Sequence, residues 1–181
     1  MNLVVEDGAG RPNANSYCSV SQADDYARSN RRWADDWTAS ADADRKAVAL
    51  RWSTRLLDQT FRWRGVRTTE VQALEWPRFG TYRRGRGGGY LVEFLDAINS
   101  ATPYPSNSVP QCVRDCCSEL AILLDQDDRA EMANDGGVQA VTLGRASVTY
   151  GSAGADRQII PQSVVDIVSH VVDFEHYLFR A

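Results

Sequence analysis

The stretch VPQCVRDCCSELAILLDQDD, residues 109–128, carries the clearest helical pattern in this chain of 181 residues. Its apolar residues recur at spacings of three and four, which places them on one face of an α-helix. Pro110 marks the start of the pattern, and the acidic residues DQDD mark its end. The stretch therefore predicts a long helix with one face in the core, formed by Val109, Cys112, Val113, Cys116, Leu120, Leu123 and Leu124.

Three more helices are predicted around this one. A capping box at Ser19, or alternatively a cap at Ser21, predicts a first helix over about 20–30. Ser40 opens a second helix that runs to about residue 60, and Pro161 begins the last helix because proline is tolerated in a first turn. The predicted fold is mainly α, a helical bundle of about four helices.

Smaller elements are predicted between the helices. Two β-branched runs on either side of Leu143-Gly144-Arg145 predict a small β-hairpin. A short strand is predicted at Leu3–Val5, and a short helix at about Thr69–Leu74. The region of about 79–108 reads as a long irregular loop in which YLVEFLDAI, residues 90–98, could form two helical turns. No repeat or second core is evident, so residues 1–181 are predicted to form one domain.

Composition narrows the class of protein. No apolar run approaches the roughly 20 residues that span a bilayer, and MNLVVEDG lacks the pattern of a leader peptide, so we expect a protein made in the cytoplasm without membrane contact. The four cysteines have no CxxC spacing and favour a reducing compartment. The formal net charge is -4, which is unlike a dedicated DNA-binding protein.

Residues that could carry catalysis or bind a metal are few. The two histidines, His170 and His176, are six positions apart and fall on different faces of a helix. Cys112 and Cys116 could offer two thiolates to zinc, although their positions continue the buried stripe. GRGGG at 85–89 lacks the order of a phosphate-binding loop. We expect no enzymatic activity, no cofactor and no metal.

The stretch FRWRGVRTTEVQALEWPRFG, residues 61–80, is the candidate binding segment. Seven arginines between 62 and 86 face only two glutamates, a local charge of +5, while the rest of the chain carries -9. Two interpretations remain open. The arginines could meet phosphates while Trp63, Trp76, Phe79 and Tyr82 stack on bases. Alternatively, the tryptophans lie in the core and the arginines pair with acidic groups of a neighbouring subunit.

Under the second interpretation, part of this stretch is a structural joint between helices. Its residues are Trp63, Gly65, Trp76 and Pro77, in which the glycine permits a turn and the proline disfavours helix for the residue before it. The residues predicted to face either a neighbouring subunit or DNA are Arg62, Arg64, Arg67, Arg78, Arg83, Arg84 and Arg86.

Three stretches together resemble a family of tailed-phage proteins labelled DnaT-like single-stranded-DNA-binding proteins. They are LVVEDGAGRPNANSYCSVSQADDYA at 3–27, WRGVRTTEVQALEWPR at 63–78 and VPQCVRDCCSELA at 109–121. In this order they span most of the chain. The segment from Tyr82 to Asn107 is longer than the corresponding loop of the family, so its role does not carry over.

The resemblance implies a structural protein of the virion neck. Family members look like head-to-tail adaptors, also called connectors, which form a ring, commonly of twelve subunits, beneath the portal protein. Such a ring contacts the stopper, the tail terminator or another tail protein and lines the DNA channel, where it could touch packaged DNA without sequence preference. The alternative is a single-stranded-DNA-binding protein that uses the segment 61–86.

The C-terminal tail, residues 174–181, is the expected portal-docking element. Its sequence FEHYLFRA is unusually aromatic for a chain terminus, and aromatic side chains are frequent anchors at protein interfaces. The predicted docking residues are Phe174, Tyr177, Leu178, Phe179 and Arg180.

Overall fold

A computed structural model describes residues 2–30, 35–83, 102–126, 140–143, 146–149 and 160–173 of the chain. These ranges contain five helices, namely α1 (Val20–Asn30), α2 (Asp35–Ala39), α3 (Ala43–Thr60), α4 (Gln111–Gln126) and α5 (Gln162–Val168). They also contain four short strands, β1 (Val66–Arg67), β2 (Arg78–Phe79), β3 (Ala140–Leu143) and β4 (Ala146–Thr149). The predicted mainly α class with a small hairpin is confirmed.

Helix α4 is the centre of the bundle, since α1, α3 and α5 all pack against it. Its buried surface is wider than the predicted stripe: Cys117 and Ile122 are fully buried, and even Glu119 is buried. Cys112, in contrast, is only partly buried. A helix covered by three neighbours has little solvent face, so the hydrophobic periodicity underestimated its burial.

The start of α1 follows the predicted capping box at Ser19. The Gln22 backbone N–H donates to Ser19 Oγ at 3.2 Å, and the Ser19 N–H donates to Gln22 Oε1 at 2.9 Å. Helix α3 begins later than predicted from Ser40, because Asp42 is its N-cap and accepts from the Arg45 N–H at 2.9 Å. The short helix α2 was not predicted.

Glu6 organises the N-terminal loop. Its buried carboxylate accepts the backbone N–H groups of Gly8, Gly10 and Arg11 at 2.8 to 2.9 Å. Gly8 has a φ of 102°, and a Cβ there would lie 2.1 Å from the carbonyl oxygen of Asn107. The EDGAGR motif is therefore explained by loop structure, since it brings the N-terminal loop against the residues that precede α4.

Strands β3 and β4 form the predicted antiparallel hairpin, with Val141 opposite Val148. The strand predicted at Leu3–Val5 is reduced to one parallel β-bridge between Val5 and Ser16. The two helical turns predicted at 90–98 lie outside the described residues. Within the described ranges, no helix has both the length and the apolar character needed to cross a membrane.

The helix predicted over Thr69–Leu74 is wrong, because this part of the chain is irregular. The buried side chain of Gln72 supplies the local hydrogen bonds instead. Its Oε1 accepts from the Thr69 N–H at 2.9 Å, and its Nε2 donates to the carbonyl oxygens of Leu74 and Pro77 at 2.8 and 3.1 Å. A side chain that satisfies the backbone in this way competes with helix formation.

Candidate interaction surface at residues 61–83

A two-stranded ribbon lies at the middle of the arginine-rich segment. Strands β1 and β2 are antiparallel, with Val66 opposite Phe79 and Arg67 opposite Arg78. Gly65 permits this arrangement because its φ is 76° and a Cβ there would lie 2.3 Å from the Phe79 carbonyl oxygen. Paired residues point to the same side of a ribbon, so Val66 and Phe79 share one side and Arg67 and Arg78 share the other.

The inner side of this segment is held in the core by two tryptophans. Trp76 is fully buried and Trp63 is 4% exposed, and their rings meet edge to face with centroids 6.0 Å apart. Phe61 and Tyr104 extend the same cluster on either side of the pair. Rings in these positions are covered by protein and cannot stack on bases.

Asp58 in the last turn of α3 connects the joint to the N-terminal part of the chain. Its Oδ1 accepts the Tyr17 hydroxyl at 2.5 Å and the Trp63 indole N–H at 3.2 Å, and its Oδ2 accepts the Glu75 N–H at 3.2 Å. The Tyr17 hydroxyl in turn accepts a hydrogen bond from the backbone N–H of Trp76 at 3.3 Å. Burial raises the pKa of Asp58 to about 6, against the opposite effect of these hydrogen bonds.

The role of Asp58 was not predicted, since an aspartate near a helix end is usually solvated. The sequence predicted a joint between helices without its partner in the last part of the chain. In the structure Trp63 forms a β-bridge with Val172, beyond the end of α5. The neighbouring backbone bonds run from the Arg64 N–H to Val171 O at 2.9 Å and from the Asp173 N–H to Arg62 O at 2.8 Å.

Arg78 was predicted to face a neighbouring subunit or DNA, and this prediction is wrong because its side chain does not lie on an outer surface. Its side chain is buried and donates to the carbonyl oxygens of Arg64 and Gly65 at 2.8 and 2.6 Å. It also forms an ion pair with Glu75. A buried guanidinium needs such partners, and Arg78 uses its donors to close the ribbon from the inside.

Several apolar side chains of the segment are exposed to solvent, among them the cross-strand pair of Val66 and Phe79. Val66 is 62% exposed, Phe79 66%, Val71 68% and Tyr82 52%. These four residues are called the outer face below. Four described arginines of the segment are exposed as well, namely Arg62, Arg64, Arg67 and Arg83.

The exposed arginines differ in their contacts. Arg67 donates to the carbonyl oxygen of Gln72, and the Arg64 guanidinium reaches the His170 carbonyl oxygen at 3.4 Å. The guanidinium carbon of Arg83 lies 5.5 Å from the centre of the Tyr104 ring. Arg62 forms no ion pair within the described ranges. Arg84, Arg86 and the tail residues 174–181 lie outside the described residues.

Two of the residues considered for catalysis or metal binding, Cys112 and His170, lie close to Tyr104, whereas His176 and residues 85–89 lie outside the described residues. Cys112 Sγ is 3.9 Å from the Tyr104 hydroxyl, which is 3.0 Å from His170 Nε2. Burial raises the pKa of the Cys112 thiol and that of Cys116, which disfavours the thiolate, the form that attacks and binds metals. The described residues contain no group of three potential metal ligands.

These observations define a helical domain with a small antiparallel ribbon that exposes apolar side chains and arginines, a class of structure suited to binding. Residues 1–180 match a family described as "Putative DnaT-like ssDNA binding protein", and the chain belongs to that family. The match agrees with the resemblance of the three sequence stretches. No curated protein and no solved structure gives a significant match to the chain.

Proposed function

We propose that the protein is a head-to-tail adaptor of a tailed-phage virion, a structural subunit that forms a ring between the portal protein and the stopper or tail. The observation that carries the proposal is the exposed cross-strand pair of Val66 and Phe79. The ribbon beneath this pair is held by the buried Arg78 and Trp76, so the outer face is preorganised for a partner.

The chemistry of the outer face favours a protein partner. Two of its four members, Val66 and Val71, are aliphatic and cannot stack on bases as aromatic rings do. Exposed apolar side chains together with arginines are a common composition of protein interfaces. The local charge of +5 against -9 elsewhere supports contact between different faces of neighbouring subunits, which is the kind of contact that closes a ring.

A double variant and a control variant test the role of the outer face. Val66→Asp combined with Phe79→Asp is expected to leave the circular dichroism spectrum unchanged, because both side chains are already in water. It should abolish ring formation in the presence of portal protein, as seen by electron microscopy. Gln59→Asp, an exposed change on α3, serves as the control and should assemble normally. Rings of normal yield from the double variant would contradict the proposal.

The tail 174–181 is proposed to dock on the portal through its aromatic residues. Deleting these eight residues is expected to abolish portal binding while the subunit stays folded. Portal binding of unchanged affinity by the shortened chain would refute the docking role and leave the ring proposal in place.

Binding of single-stranded DNA is the second candidate function, and the description of the family supports this alternative directly. In the structure its stacking residues would be the exposed Phe79 and Tyr82, with Arg62 and Arg83 near the phosphates. The test is fluorescence anisotropy with labelled oligo(dT) at several salt concentrations. Affinity that falls steeply with salt and with Arg62→Ala and Arg83→Ala supports this function, and no binding at low salt excludes it.

A further inference from the structure

Helix α3 has charged residues of opposite sign at its two ends. Its 18 residues span about 27 Å at the helical rise of about 1.5 Å per residue. Asp42 and Asp44 flank its start, and Arg62 and Arg64 follow directly after its end. This distance is well beyond the roughly 10 Å over which salt screens charges, so the two groups do not neutralise each other within one chain.

The first of these surfaces is called the acidic end and consists of residues 35–44. Their sequence, DDWTASADAD, holds four aspartates and no basic residue. Asp36, Asp42 and Asp44 are all exposed. Asp42 caps α3, whereas Asp36 and Asp44 form no ion pair within the described ranges. The carboxylates of Asp36 and Asp44 therefore face solvent and are accessible to a partner.

The two basic residues that follow the acidic end are paired inside the chain. Arg45 Nε bonds to Asp125 Oδ1 at 2.5 Å, and the buried Lys46 bonds to Asp24 Oδ1 at 2.9 Å. The Trp37 indole N–H donates to the same Asp24 oxygen at 2.9 Å, which fixes α2 beside the first turn of α3. Because both cations have their own carboxylates, the acidic end keeps its negative charge.

The second surface is called the arginine end and lies where the chain passes from α3 into the ribbon. Its exposed arginines are Arg62, Arg64, Arg67 and Arg83. Arg64 and Arg67 donate to backbone carbonyl oxygens, which carry no net charge. The arginines outnumber the acidic residues beside them, the exposed Glu70 and the half-buried Asp173. The arginine end is therefore positively charged.

We infer that the acidic end of one subunit docks on the arginine end of a second copy of the chain, and that this contact links neighbouring subunits of the ring. The inference rests on the proposed adaptor function. Complementary surfaces at opposite ends of one subunit form a heterologous contact, which repeats from copy to copy until the ring closes. Guanidinium groups bind carboxylates through two parallel hydrogen bonds, so the paired charges also set the register of the contact.

Two charge-reversed subunits test this contact. In the basic subunit, three substitutions change the net charge of residues 35–44 from -4 to +2. They are Asp35→Arg, Asp36→Arg and Asp44→Arg. In the acidic subunit, three substitutions change the net charge of residues 61–83 from +3 to -3. They are Arg62→Asp, Arg64→Asp and Arg83→Asp. Each subunit then carries the same sign of charge at both ends.

Each charge-reversed subunit alone should form at least about tenfold fewer rings on portal protein than the wild type, counted by electron microscopy, because like charges meet at every contact. An equimolar mixture of the two should form rings at the wild-type yield, since alternating subunits again pair opposite charges. Asp166→Arg, an exposed charge reversal on α5, is the control and should assemble normally.

The fate of the ring separates this inference from the proposed function. Rings at wild-type yield from either charge-reversed subunit alone would refute the contact and leave the adaptor proposal intact, whereas no rings from the wild type would refute the adaptor proposal itself. A mixture without rings, although circular dichroism shows both chains folded, also refutes the contact. If that mixture fails and the acidic subunit has lost an oligo(dT) binding that the wild type shows, the arginine end binds nucleic acid instead.

Neutral variants decide the matter if a charge-reversed chain does not fold. One combines Asp36→Asn with Asp44→Asn, and the other combines Arg62→Gln with Arg64→Gln, so that the side chains stay polar. Each should lower the ring yield and flatten its dependence on salt, because the charges that salt screens are removed. A yield and a salt dependence equal to those of the wild type would overturn the inference.

Discussion

Replacing Asp58 by asparagine should remove a specific part of the pH dependence of stability. The pKa of Asp58 is raised from 3.8 to about 6 in the folded chain, chiefly by burial. A raised pKa means that the folded state holds the proton more tightly than the unfolded state. This contribution to stability is therefore fully present below the unfolded pKa and is lost as the pH rises through about 6.

The magnitude follows from the size of the shift. A shift of roughly two units corresponds to about 3 kcal/mol over the whole titration. Between pH 7 and pH 4.5 about 2 kcal/mol of this is regained, because the unfolded carboxyl is still mostly ionised at pH 4.5.

Urea denaturation of both proteins across this pH range gives the difference in free energy of unfolding, wild type minus Asp58→Asn. This difference should grow by about 2 kcal/mol on acidification. Taking the difference cancels the other carboxyl groups, including Asp7, whose hydrogen bond with Arg11 lowers its pKa to about 2. Asp44→Asn, an exposed change in the first turn of α3, is the control and should give a flat difference. A flat difference for Asp58→Asn would refute the account of a buried carboxylate at the joint.

The remaining predictions concern the ribbon and its support. Trp76→Ala should destabilise the fold by about 3 to 5 kcal/mol, measured by urea denaturation, because a fully buried ring is lost; an unchanged midpoint would refute its role in the joint. Trp76→Phe should cost clearly less, since the indole N–H has no partner within the described ranges. Gly65→Ala should destabilise by more than about 1 kcal/mol, because it adds a clash with the Phe79 carbonyl to the strain of a positive φ. Gly80→Ala has a similar φ of 79° but open space around it, so a cost equal to that of Gly65→Ala would contradict the clash.

The helices could be predicted because each carries its own signal. The capping box at Ser19, the apolar stripe of α4 and the proline before α5 are local features, and the structure contains all three helices. The helix at Thr69–Leu74 failed for an equally physical reason. The buried side chain of Gln72 forms hydrogen bonds with the backbone groups of Thr69 and Leu74. A sequence pattern does not show which polar residue will be buried in this way.

The sequence predicted which segment carries the candidate surface, but not which of its residues are buried and which are exposed. Composition located the arginines and aromatic residues, yet it could not tell that Arg78 points inward or that Val66 and Phe79 point outward. That distinction depends on the register of a ribbon only two residues long on each strand, and it is stabilised by contacts with the residues after α5. The contact between Asp58 and Tyr17 was missed because the two residues are 41 positions apart in the sequence.

The most direct test of the adaptor proposal is electron microscopy of the purified protein mixed with its portal protein, combined with hydrogen exchange of the complex. The account predicts a ring of subunits on the portal, in which the amides of β1 and β2 become protected relative to the free chain. A protein that stays monomeric beside the portal, yet binds oligo(dT) with a steep salt dependence, would contradict the adaptor role and establish the DNA-binding alternative.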